Sequence, residues 1–97
     1  MYTPIELDKV RNFRYGMKAI SLIEKKFKKN LAKIDMENLT MEETAVVIWA
    51  GLAHEDKDLN PDRVMELIDE KGNMNEVLEA MGAAMEDAFG TGTEKKE

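Results

Sequence analysis

The sequence predicts a small single-domain α+β protein, mainly α, in which four helices follow a short N-terminal β-hairpin. Three observations carry this. Apolar residues recur with period two at Ile5, Leu7, Phe13 and Tyr15, the alternation of a half-buried strand pair. Beyond Gly16 the period changes to that of helices. Helix-start signals recur at Thr40, Asn60 and Asn73, and together they divide the chain into four helical segments.

The hairpin spans IELDKVRNFRY, with Asp8-Lys9 as its turn. A lone two-stranded hairpin is marginal in water, so it must pack on the helices or pair with another chain. Helix one is MKAISLIEKKFKK, with Ile20, Ile23 and Phe27 on one face, lysines on the other, and Asn30 as its stop. Helix two opens with the capping box Thr40-x-x-Glu43, which satisfies two orphan N–H groups reciprocally. It continues through Val46, Val47, Ile48, Trp49 and Leu52 and is apolar nearly all round, as a central helix should be. Helix three has Asn60 as N-cap and Pro61 as its first residue, Val64, Leu67 and Ile68 facing inward, and Gly72 just past its end. Helix four starts with a weaker Asn73–Glu76 box and carries Met74, Val77, Leu78, Met81, Met85, Ala88 and Phe89 before Gly90 stops it. The domain is expected over residues 1–90. The tail 91–97, TGTEKKE, has nothing to bury and is expected to be disordered.

Composition narrows the function classes. The 97 residues contain 43% hydrophobic and 35% charged residues and no cysteine, which excludes disulfides and thiolate metal sites. No apolar run approaches the roughly 18 residues of a membrane span, and MYTPIELDK lacks a signal-peptide pattern. A cytoplasmic protein is expected. The net charge of −6 is unevenly placed, with residues 9–33 at +8 and residues 34–93 at −12. Such asymmetry could draw the front of one subunit to the back of another, unless both blocks are simply solvated helix faces.

HEDKDLNPD, residues 54–62, groups four carboxylates and an asparagine around the sole histidine and begins as a calcium loop does. Counted from Asp56, Asp58 and Asn60 fit the third and fifth positions. The sixth, which needs glycine, is Pro61, and the twelfth, which needs a bidentate glutamate, is Leu67. The calcium reading therefore fails, and His54 alone makes a poor zinc site. Ser21, the sole serine, lies mid-helix with no nucleophile-elbow context, and no phosphate-binding glycine loop is present. A non-enzymatic protein without cofactor or metal is expected. The run Lys25–Lys29 around Phe27 could touch nucleic acid, but Phe27 shares the apolar face of its helix, and no nucleic-acid partner is expected.

Eight methionines in 97 residues are a further signal. Flexible, polarizable methionines suit surfaces that repack against apolar helices, and they also fill cores. Met81, Met85 and Phe89, with Met74, are the expected partner-binding surface. Ile5, Leu7, Phe13 and Tyr15 are the expected self-association edge.

The order of these segments is similar to that of a known family. RNFRYG is followed by AISLIEKKF, a connector ending in LT, VIWAGLAHED, and LNPDRVMELID. This order resembles the tail assembly chaperones of long-tailed bacteriophages, small proteins encoded just before the tape measure protein. The matching elements are Ile23-Glu24, Trp49 to Leu52, and Leu59 to Val64, within a likeness that spans residues 3–90. The resemblance implies a helical, self-associating, non-enzymatic chaperone that keeps the long helical tape measure protein soluble in the host bacterial cytoplasm. Tail-tube subunits then polymerise around that client, forming a further contact the resemblance leaves open, and the chaperone is absent from the mature virion. Two other classes fit the same residues: a small regulatory or adaptor protein, and another phage structural component such as a head–tail connector.

Overall fold

In the computed structural model, which describes residues 3–35, 38–86 and 88, the chain forms one α+β domain of four helices and a two-stranded antiparallel hairpin. Strand β1, Thr3–Glu6, pairs with β2, Val10–Phe13, with Ile5 opposite Arg11 and Thr3 opposite Phe13. Residues directly opposite share a face. Ile5, Arg11 and Phe13 therefore point inward together, while Glu6 and Val10 point out. The period-two pattern grouped Ile5 with Phe13 but assigned them to a self-association edge, and it did not include Arg11.

Helix α1 runs Met17–Phe27 and buries Ala19 and Ile23, with Ile20, Leu22 and Phe27 packed at the edge of the core. It ends at Lys28 rather than Asn30. Lys28 takes the left-handed conformation (φ 58°), and its N–H bonds the Glu24 carbonyl. The Glu24 carboxylate accepts the Leu31 N–H at 2.8 Å, which anchors a 3₁₀ turn over Leu31–Lys33.

Helix α2, Met41–Leu52, is the central element. The capping box forms as expected: the Glu43 N–H donates to Thr40 Oγ1 at 3.1 Å, and the Thr40 N–H donates to Glu43 Oε1 at 2.9 Å. Packed against α1, α3 and β2, α2 buries Val47, Ile48, Ala50, Gly51 and Leu52. Helix α3, Pro61–Lys71, opens on Asn60, whose Oδ1 accepts the Arg63 N–H at 2.8 Å. It closes at Gly72 in the left-handed conformation (φ 71°), which glycine adopts without a Cβ penalty.

Helix α4 covers Met74–Met85 and packs on β1, β2 and α3. Its start corrects the expected Asn73–Glu76 box, because Asn73 makes no side-chain cap. Instead Asn73 Nδ2 donates to the Glu6 carbonyl at 2.8 Å, across 67 residues of sequence. A tertiary partner outcompetes the local one and ties α4 to the hairpin. Phe89, the Gly90 stop and the 91–97 tail lie outside the described residues.

Candidate functional site

An apolar groove lies where α2, α3 and α4 meet. Helix spacing makes its walls: Met41, Ala45 and Ile48 form one stripe of α2, Met65 and Ile68 one of α3, and Met74 and Leu78 one of α4. Ile48 and Ile68 are buried at its base, while Met41 (58% exposed) and Met74 (41% exposed) stand at its edge. Asp69 is a polar wall residue. The groove is open to solvent, and its volume of ≈ 280 Å³ falls just below the roughly 300–1,000 Å³ typical of small-molecule sites. Its chemistry is that of a side-chain receptor: unbranched thioethers that change rotamer easily above a floor of β-branched isoleucines.

The structure redistributes the residues expected to bind partners. Met74 lines the groove. Met81 and Met85 continue the same face of α4 but are half-buried against the core, and Phe89 is outside the described residues. Met41 and Met65, not among the residues expected to bind partners, line the groove beside Met74. Their signal was a methionine on each of three helices, but nothing local showed that the three would converge. Ile5, Leu7, Phe13 and Tyr15, expected on a self-association edge, lie at 7% exposure or less inside this chain's own core. The Phe13 and Tyr15 rings stack with centroids 5.8 Å apart, and the Tyr15 hydroxyl donates to the Val47 carbonyl at 2.7 Å. Burial raises the Tyr15 pKa far above the ordinary phenol value.

The acidic loop between α2 and α3 clasps the hairpin. Glu55 accepts the Asn12 N–H at 3.1 Å and Asn12 Nδ2 at 3.0 Å, and His54 Nε2 lies 2.8 Å from the Asn12 carbonyl oxygen. Asp8 binds Arg11 through two parallel bonds of 2.8 and 2.9 Å, and Asp56 approaches the same guanidinium at 3.4 Å. The Arg11 hydrogen bond lowers the Asp8 pKa against the opposing effect of burial. Burial raises the Glu55 pKa, but the Asn12 bonds, aided by His54 and Arg11, outweigh it and leave the carboxyl below its ordinary value. Asp56 also accepts the Asp58 N–H at 3.0 Å. These carboxylates are thus directed at the hairpin and at the loop's own backbone. Among the described residues, no group of three or more His, Cys, Asp and Glu could hold a metal ion.

Along α1 and the turn after it, Lys25, Lys28, Lys29 and Lys33 surround an open depression beside Ser21 and Glu24. Phe27 packs against the core. Lys26 lies over the Trp49 ring, 5.6 Å from its centroid. Trp49 Nε1 donates to the Leu59 carbonyl at 2.8 Å, so the WAGL and LNPD segments are joined directly. No helix among the described residues is long and apolar enough to cross a membrane.

In comparisons with known proteins, the chain matches no family model, no curated protein and no solved structure.

Proposed function

We propose that this protein is a non-enzymatic assembly chaperone that shields an apolar helical client through the α2–α3–α4 groove. The resemblance to the tail assembly chaperones of long-tailed phages makes the tape measure protein the client. The observation that carries the reading is the groove itself, where exposed Met41 and Met74 meet Met65 over buried isoleucines. An exposed apolar concavity marks a site of interaction, and helices dock into such grooves through residues spaced i, i+3, i+4 and i+7. Moderate affinity at many such sites along a long helical client would hold it soluble yet allow release when tail-tube subunits displace the chaperone.

Self-association belongs to the same proposal. With Ile5, Leu7, Phe13 and Tyr15 internal, copies would meet through exposed groups such as Val10 (58% exposed) on the hairpin's outer face or through the oppositely charged surfaces. Native mass spectrometry that finds only monomer at high concentration would count against this part.

The test of function is co-expression with the tape measure protein, comparing wild type with the Met41→Glu/Met74→Glu double variant. Wild type should keep the client in the soluble fraction and the variant should not, although both substituted positions are exposed and the fold should persist. A client that precipitates equally with and without wild-type protein would refute the reading.

A further inference from the structure

We infer that the groove selects by charge as well as by apolarity, and that its ligand is an amphipathic helix whose apolar stripe is flanked by lysine or arginine. This deepens the reading of the groove as a client site and rests on it. The helices α2, α3 and α4 that bound the groove carry eight carboxylates against two cations, Arg63 and Lys71. Both cations are engaged: Arg63 with Glu66 at 3.1 Å, and Lys71 with Glu6 of the hairpin at 3.6 Å. Asp69 is exposed in the wall of the groove itself, one residue from buried Ile68.

A helix seated in the groove would place apolar side chains among Met41, Met65 and Met74. Its flanking residues would then meet Asp69 in the groove wall and the net negative charge of the three surrounding helices. A basic flank gains Coulomb attraction there. An acidic flank meets like charge around an apolar site, which disfavours it. A second copy of this chain is a poor occupant, because the apolar face of its basic helix α1 is already turned into the core through Ala19, Ile23, Ile20 and Phe27.

The experiment titrates the full-length protein with two synthetic helical peptides that share one leucine stripe at i, i+3, i+4 and i+7. One is flanked by lysines and the other by glutamates, and fluorescence anisotropy reads the binding. The lysine peptide should bind about tenfold more tightly at low salt, with the difference shrinking as salt rises. Met74→Glu should abolish the leucine-dependent binding, and Asp69→Lys should narrow the preference, with far-UV circular dichroism confirming that both variants are folded. Equal affinity for the two peptides overturns the inference. So does lysine-peptide binding that Met74→Glu leaves unchanged, or a wild-type dimer in sedimentation velocity that Met74→Glu dissociates, since the groove is then covered by a second copy. Client co-expression separates this from the chaperone reading. Selective peptide binding with an insoluble client removes the chaperone reading alone, whereas a soluble client with unselective peptide binding removes the charge selectivity alone.

Discussion

Gly51 lies directly against the Tyr15 ring: a Cβ at this position would sit 2.5 Å from Tyr15 Cζ and 2.8 Å from Phe13 Cδ1. Glycine in a helix interior ordinarily costs about 0.5–1 kcal/mol relative to alanine. Here it permits the hairpin to reach α2. The Arg14 N–H then bonds the Gly51 carbonyl at 2.9 Å, and the Tyr15 hydroxyl reaches the Val47 carbonyl.

Gly51→Ala should therefore destabilise the protein, by about 1–3 kcal/mol, because both neighbouring rings are packed and cannot move aside freely. Urea unfolding followed by Trp49 fluorescence measures it. Gly82, with nothing within 4 Å of its would-be Cβ, is the control. Gly82→Ala should be neutral or stabilising by up to about 1 kcal/mol.

Arg11 is the buried charge of the hairpin, at 3% exposure. Asp8→Ala should cost about 1–2 kcal/mol, since it leaves the guanidinium with only the longer Asp56 contact, while the half-exposed Asp8 limits the loss. Adding Arg11→Met should recover part of that cost, because no uncompensated charge then stays buried. Stabilities that simply add across the double-mutant cycle would show that the pair is not coupled.

Acid should loosen the clasp. The pKa values of Asp8 and Glu55 are both lowered in the folded state. Their contribution is therefore fully present above the unfolded carboxyl values, near pH 4, and fades as pH falls through the lower folded values. Unfolding free energy measured from pH 7 to pH 3 should decline at the acidic end. In the Asp8→Asn/Glu55→Gln variant that decline should be shallower.

Asn73 joins α4 to β1, so Asn73→Ala should raise amide exchange at the start of α4 and at the hairpin together. The cost should be small, about 0.5–1 kcal/mol, because one bond to the Glu6 carbonyl is lost while Asn73 Oδ1, buried without a partner, is removed as well. Asn60→Ala removes a true N-cap and should cost about 1 kcal/mol, with the effect confined to α3.

The helix boundaries that could be read from the sequence were those set locally. Thr40 with Glu43 and Asn60 with Pro61 act within one turn, so a short stretch of chain contains both partners. Where reading failed, a distant group had displaced the local one: Asn73 turned to Glu6. The Lys28 ending had no glycine to mark it. The HEDKDLNPD segment could be denied calcium by Pro61 and Leu67 alone, but its role as a clasp depends on Asn12 and Arg11, more than forty residues away.

The sequence by itself determined the four helices, the hairpin and the central position of α2. Periodicity and capping are short-range and leave their mark in consecutive residues. Only the tertiary structure decided that the hairpin's apolar residues face this chain's own core, that Gly51 admits Tyr15, and that Met41, Met65 and Met74 converge. Each depends on how separate helices pack, a relation fixed by side-chain fit across the core and absent from any single stretch of chain.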